Sequence, residues 1–394
     1  MTDKILVLNA GSSSVKFSLF DIREDDPPAM AVHGQIEGIG IRPHFIVKDA
    51  TGGGLDDRYW DNDAGIDQEG LLSYLFSWVR RYLGGGRLRA VGHRVVHGGP
   101  RYPKPVLLNE DVLRDLTAYI PLFPLHLPVN LAPIRIISKL SRDLPQVACF
   151  DSSFHRTIPD IARLYGLPRA LTDEGIRGYG FHGLSYEYIA SVLPKIDPAA
   201  AEGRTVVAHL GSGASLCALV KGKSIACTLG FSGLDGLLMG TRPGTLDPGI
   251  FLYLLQEKKM DAKGIEILFY KESGLLGVSG ISSDMRDLQK SPDPRAREAV
   301  ALFVYRAVRE LGSMAAASGG MDALVFTAGI GEHAPEIRSG ICSRLSWLGL
   351  RLDEEADRRG GPLISAEDSK VRVWVIPTNE ELMIAIHTKR AIEE

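Results

Sequence analysis

The sequence has no apolar run long enough to cross a bilayer. Its longest, Ala299 to Tyr305 and Ile250 to Leu255, fall far short of the ~20 residues that a membrane-spanning helix needs. The start of the chain reaches Gly11 and three serines too soon for a signal-peptide apolar segment. A cytoplasmic protein is therefore expected, with no membrane as partner. Charge of one sign is not concentrated anywhere: 45 Lys+Arg against 48 Asp+Glu leave a net charge of −3. That balance argues against nucleic acid as the main partner, so an anionic ligand would have to be held by local groups. Cysteine is scarce. Cys149, Cys217, Cys227 and Cys342 form no C-x-x-C pair and lie in apolar contexts, which excludes a disulfide framework and a zinc site and leaves buried thiols.

What is present is an ordinary core-forming composition, 45% hydrophobic over 394 residues, enough for two domains. Ile5 to Leu8, a Gly11 to Ser14 turn and Val15 to Phe20 read as a hairpin. The pattern returns as Val206 to Leu210, Gly211-Ser212-Gly213-Ala214 and Ser215 to Val220. A repeat at about half the chain length suggests two similar domains with a ligand between them. Strands are expected around Val91 to Val96, Gln146 to Phe150, Ala323 to Thr327 and Val371 to Ile376, and helices at Gly249 to Lys258, Arg295 to Ser318, from Pro335 and at Glu380 to Lys389. The Pro-rich stretch from Pro121 to Pro133 reads as a rigid loop. Alternating strands and helices place the chain in the α/β class. The expected division is 1–150 plus 377–394 for one domain and 151–376 for the other.

Several short segments could carry chemistry. Asn9 to Lys16 offers backbone N–H groups, three hydroxyls, an amide and an ammonium; such a turn either binds phosphate or is a polar hairpin tip. The Gly211 turn offers similar donors without a lysine. Neither is a Walker loop or a dinucleotide fingerprint. Arg94 shares a strand face with Gly92 and Val96, suited to a small carboxylate with a hydrocarbon tail, unless it is a sheet-edge arginine. Arg242 sits in a Gly- and Pro-rich loop that would keep its fork oriented, as phosphoryl transfer requires, unless it is simply exposed. His182 precedes a helix that Ser185 can cap, with Glu187 in its first turn, and is either an anion donor or structural. Asp151 follows an apolar strand, where α/β folds place ligand-binding residues, or it caps the next turn. Glu380 and Glu381 could hold hydrated Mg²⁺ or merely complement a helix dipole.

Taken together, Leu8 to Lys16, Gly180-Phe-His-Gly-Leu-Ser185, Met239-Gly-Thr-Arg242, Ser282-Ser-Asp-Met-Arg286, Phe326-Thr-Ala-Gly-Ile-Gly-Glu332 and Thr378-Asn-Glu-Glu-Leu382 resemble the acetate kinase family in order, spacing and total length. The resemblance covers nearly the whole chain. It implies the two-domain fold of the actin, Hsp70 and sugar kinase superfamily with a cleft between the domains, a homodimer, and phosphoryl transfer between ATP and acetate to give acetyl phosphate and ADP. It further implies that residues 1–150 plus 377–394 bind the acyl group and phosphate, and that 151–376 bind the nucleotide. Asn9, Ser12, Ser14 and Lys16 would lie near the transferred phosphate, with His209, Gly211, Ser212 and Gly213 facing the phosphates from the second turn. Asp151 and Glu380, with Asn9, would organise Mg²⁺, for which Mn²⁺ could substitute. Arg94, His182 and Arg242 would stabilise the transition state. Val96, Leu125, Phe181 and Gly233 would line the acyl pocket. Asp284, Met285, Arg286 and a Gly329-Ile330-Gly331 turn would hold the adenosine.

Three positions depart from the family pattern. Ser212 stands where the family usually has Asn, Gly233 where it has Pro, and His333 where it has Asn. Ser212 keeps a hydrogen-bonding side chain of shorter reach. Loss of the proline ring at 233 should leave room for one or two more carbons, which brings in a propionate or other short-chain acyl kinase as a rival. A rival of another class is a non-catalytic nucleotide-binding protein of the same superfamily, disfavoured by Arg94, Arg242 and His182 occurring together.

Overall fold

The two hairpins form as their sequences suggest. Strands β1 (Lys4–Ala10) and β2 (Val15–Asp21) pair antiparallel, with Asn9 opposite Lys16. In this computed structural model, which describes residues 2–11, 14–24, 27–61, 66–124 and 126–394, the chain divides into one unit of Met1–Ser153 with Asn379–Glu394 and another of Phe154–Thr378. Two expected site residues, Ser12 and Leu125, lie outside the described residues.

In the first unit, β3 (Ala29–Glu37), β4 (His44–Asp49), β5 (Gly54–Tyr59), β6 (Leu88–Val95), β7 (Val106–Leu107) and β8 (Gln146–Phe150) complete a sheet of order β5-β4-β3-β2-β1-β6-β8-β7. Strands β1, β6 and β8 run parallel, and the remaining pairs are antiparallel. The helix Gln68–Leu83, capped by Asp67, buries Leu71, Leu72, Leu75, Phe76, Trp78 and Val79 at helical spacing. These pack with Leu6, Phe17, Phe45 and Ile137 in one core. The helix Glu380–Glu393 lies on β1, β6 and β8. Gly92 is bare because of that packing: a Cβ there would sit 2.2 Å from Thr388 Oγ1 and 2.7 Å from Ile384 Cγ2. The bare position beside Arg94 therefore accommodates the C-terminal helix, not a ligand's hydrocarbon tail.

In the second unit, β9 (Arg204–Leu210), β10 (Ala214–Val220), β11 (Lys223–Cys227), β12 (Ala323–Thr327) and β13 (Arg372–Val375) form a sheet of order β11-β10-β9-β12-β13. Here too the hairpin strand β9 continues into parallel neighbours, β12 and β13. The run β3-β2-β1-β6-β8 of the first sheet has the same order and strand directions, so the repeat seen as two hairpins extends to five strands. This is the expected α/β class with two similar units. Leu193, Val207, Leu219, Val325 and Trp374 are among the residues of the second core.

Three local expectations are corrected. The Pro-rich stretch is not a loop: Pro121 lies in the 3₁₀ turn Ile120–Leu122, and Pro128 and Pro133 lie in the helix Leu127–Leu140. Pro128 occupies the first turn, where N–H groups have no helical partner in any case, and buried Pro133 gives up one helical bond. The Gly329-Ile330-Gly331 segment is no turn either, because β12 passes directly into the helix Ala328–His333. The helix Gly183–Ile196 is capped by His182 in a left-handed conformation (φ 57°), without a side-chain cap. Ser185 is instead buried inside its first turn, and that turn holds no acidic residue. The thiols of Cys149, Cys217 and Cys342 are buried, as expected, and Cys227 is partly so.

Candidate active site

The first unit gathers Asn9, Arg94, Asp151 and Glu380. Arg94 projects from β6, Asp151 follows β8, Asn9 lies on β1, and Glu380 opens the helix that packs over them. Arg94 Nε lies 3.0 Å from both Asp151 oxygens and Nη2 2.7 Å from Oδ2. Arg94 Nη1 lies 3.4 Å from Asn9 Oδ1, and Nε 3.9 Å from Glu380 Oε2. Burial alone would lower the pKa of Arg94, but the carboxylates of Asp151 and then Glu380 reverse the sign and hold it above its ordinary value. A fixed, permanently charged fork results.

The geometry separates the two adjacent acids. Glu381 accepts a 2.9 Å bond from the hydroxyl of buried Ser18 and so pins the helix to β2, while Glu380 is directed to the Arg94 cluster. Lys16 is exposed and Ser14 partly so. Asn130, which no motif marks, accepts from Val96 N–H at 3.0 Å and donates to Ala10 O at 3.1 Å. It thereby fixes the backbone of one expected pocket residue against the end of β1.

The second unit gathers His182, His209, the Gly211 turn and Arg242. A Cβ at Gly213 would lie 2.7 Å from Arg242 Nη2 and 3.3 Å from His182 Nε2, so both groups converge on that turn. Gly240 N–H bonds Ser212 O at 3.1 Å and ties the Arg242 loop to it. Arg242 Nη1 donates to Gly233 O at 2.6 Å, and a Cβ at 233 would come 2.7 Å from the same nitrogen. The place that the missing proline ring was expected to vacate thus faces Arg242. Phe181 is buried, and its carbonyl accepts from His155 Nε2 at 2.8 Å. Burial lowers the pKa of His155 to about 4, so its ring is a neutral strut. No motif or spacing marks His155, a lone histidine in the 3₁₀ turn Ser153–Thr157.

On the expected adenosine side, Asp284 caps the helix Met285–Lys290 and holds Arg286 Nε at 3.0 Å. Arg286 borders a cavity of about 630 Å³ lined also by Gln289, Val304, Glu336 and Ile337, and Met285 is buried. The helix bearing Gly329, Ile330 and Gly331 is braced at both ends. Glu332 Oε1 accepts from Ala328 N–H at 2.7 Å and Thr378 N–H at 3.2 Å. Fully buried Arg338, paired with Asp357, donates to Gly331 O and Glu332 O at 2.9 Å each. Ala328 has φ 66°, a left-handed backbone that a non-glycine residue keeps only when its surroundings enforce it.

The model of the acetokinase family matches residues 4–386. The chain belongs to the acetokinase family. A relative from Rhodopseudomonas palustris named acetate kinase is 53% identical, covering 99% of this chain and 98% of that protein. Among solved structures, a propionate kinase from Francisella tularensis subsp. tularensis superposes with a TM-score of 0.91 at 37% identity, covering 98% of this chain and 99% of the other. Porphyromonas gingivalis acetate kinase gives 0.86 at 35% identity, with 99% of each chain covered. The two-unit α/β fold is therefore that of this family. Of the three positions expected to depart from the acetokinase family pattern, Ser212 and His333 are both exposed here, whereas Gly233 touches Arg242.

Proposed function

We propose that this acetokinase is an acetate kinase, moving a phosphoryl group reversibly between ATP and acetate to give acetyl phosphate and ADP. The full-length 53% identity to a relative of that name carries the reading, and the two residue clusters support it. Phosphoryl transfer is catalysed mainly by positioning and charge stabilisation. Arg94, held by Asp151, and Arg242, held by Gly233 O, are oriented forks of the kind such chemistry uses. In the second unit His182, His209 and the Gly211 to Gly213 turn, and in the first Asn9, Ser14 and Lys16, are the phosphate-side groups. Phe181 and Gly233 of the second unit are acyl-side residues, as is Val96 of the first, and Asp284 to Arg286 with Gly329 to Gly331 hold the adenosine. ATP as substrate places the reaction in the cytoplasm; among the described residues no helix is long and apolar enough to cross a membrane.

Mg²⁺ fits the donor set as an ion that keeps most of its waters. Glu380 and Asn9 offer hard oxygens, and among the described residues no group of three or more His, Cys, Asp or Glu gathers into a cage. Glu380 and Asn9 would hold the ion, which when bound offsets the negative charge of the phosphates. Asp151, with both oxygens committed to Arg94, serves to orient that arginine.

The test is to incubate the protein with ATP, Mg²⁺ and acetate, propionate or butyrate and to trap acyl phosphate as the hydroxamate. Acetyl hydroxamate that needs both ATP and Mg²⁺ is expected. A propionate kinase is the second reading, favoured by the TM-score of 0.91 to a structure of that name, and a clear preference for propionate would select it. ATP binding without any acyl phosphate would point to the non-catalytic alternative.

A further inference from the structure

His182 and His209 are tied into the second unit by two crossed bonds. Residues 182, 185 and 186 share one face of the first turn of the Gly183–Ile196 helix, and His209 and Ser215 stand opposite each other on β9 and β10. His182 Nδ1 lies 2.8 Å from Ser215 Oγ, and His209 Nδ1 lies 2.8 Å from Ser185 Oγ. The two rings stack at 4.2 Å and 20°. Behind Ser215 stands Tyr186, its hydroxyl 2.5 Å from Ser215 Oγ, and both residues are wholly buried. The other nitrogen of His182 adjoins Gly213, where Arg242 Nη2 also converges.

We propose that Ser215, backed by Tyr186, is a positioning residue that sets the tautomer of His182 so that Nε2 carries the hydrogen toward the phosphate. The inference rests on the reading above that His182 contacts that phosphate. A phenol is the more acidic hydroxyl and the poorer acceptor, so Tyr186 donates to Ser215 Oγ, and the Ser215 hydrogen is directed to His182 Nδ1. The bond made at one imidazole nitrogen decides which tautomer the ring adopts. With Nδ1 accepting, a neutral ring presents N–H at Nε2; with Nδ1 donating, it would present a lone pair to an anion. The stack keeps the two rings from being charged together, since two imidazolium rings at that separation would repel.

The experiment is a long-range ¹H–¹⁵N spectrum of the full chain labelled at histidine, with His182 assigned through His182→Gln among the ten histidines. A protonated-type shift at Nε2 and a bare-type shift at Nδ1 are expected in the wild type. Ser215→Ala should give a mixture of tautomers and a kcat lower by about tenfold or more, with KM for ATP within about twofold. Ser215→Thr, which keeps the hydroxyl, should restore both. If Ser215→Ala fails to fold, Tyr186→Phe supplies the same comparison with a smaller loss. A wild-type His182 with its hydrogen on Nδ1 overturns the assignment, as does a Ser215→Ala protein with unchanged tautomer and kcat. An inactive wild type would strike the kinase reading and leave the tautomer spectrum to decide this one.

Discussion

Asp151 is 2% exposed and gives both its oxygens to Arg94, so these two residues cannot be tested separately without cost. Arg94→Ala takes the guanidinium from a buried carboxylate, and breaking a buried ion pair destabilises by about 3–5 kcal/mol. It should also lower turnover by about 10²-fold or more, as expected for a charge donor aimed at a transferring group. Adding Asp151→Asn to Arg94→Ala should recover part of the urea midpoint and none of the turnover; equal stability of the single and double variants would contradict the pairing. A second residue-scale prediction concerns pH. Burial lowers the pKa values of His93 and His155 from 6.5 to about 4. Between those values the unfolded chain binds more protons than the folded one, so their contribution is complete above about pH 6.5. It is lost as pH falls toward 4, on the order of 3 kcal/mol for each residue. Urea midpoints at pH 7.5, 6 and 5 should fall in that order, and a flat series would mean the rings are not held neutral. At this scale the sequence shows which residues carry charge or donors, since arginines in stiff or apolar segments stand out. It does not show their partners: Asn130, His155 and Ser215 act through contacts between residues distant in the chain.

The elements were legible where periodicity marked them, and misread at Pro128 and Pro133 and at Gly329 and Gly331, which lie in helices. Strands β8 and β12 have the expected bounds, because each is a run of four apolar residues with one polar residue at its end, too short for a helix. The helix Leu127–Leu140 was hidden by its prolines, one harmless in the first turn and one compensated by burial of Leu131, Ile134 and Ile137 around it. The helix Glu380–Glu393 was legible, but its seat on Gly92 was not. Gly92→Ala should push that helix off β6 and destabilise by about 1–3 kcal/mol, as overpacking does. Because Glu380 opens the same helix, the variant should also need more Mg²⁺ for half-maximal rate. A Gly92→Ala protein with unchanged stability and metal titration would separate the helix from the site.

For the whole molecule, the repeated hairpin gave away the duplicated architecture, and the strands beyond the hairpin in each sheet follow the same order. The helix Pro248–Gln256 points outward from that architecture: none of its residues is buried, and Ile250, Phe251, Leu252, Tyr253 and Leu255 are each 40–52% exposed. Apolar side chains exposed at consecutive positions all round a helix suit burial against a second copy of the chain, the homodimer that the family resemblance implies. Leu252→Glu should therefore shift the mass by light scattering from dimer to monomer, and a wild-type monomer at micromolar concentration would refute the proposed surface. Phosphoryl transfer between an acyl phosphate and a nucleotide can be followed directly by ³¹P NMR of the protein with acetyl phosphate, ADP and Mg²⁺. The wild type should convert the acetyl phosphate and ADP signals into those of ATP, with the conversion slowed about 10²-fold or more in Arg242→Ala. Acetyl phosphate that persists, or that gives only inorganic phosphate, would contradict the account.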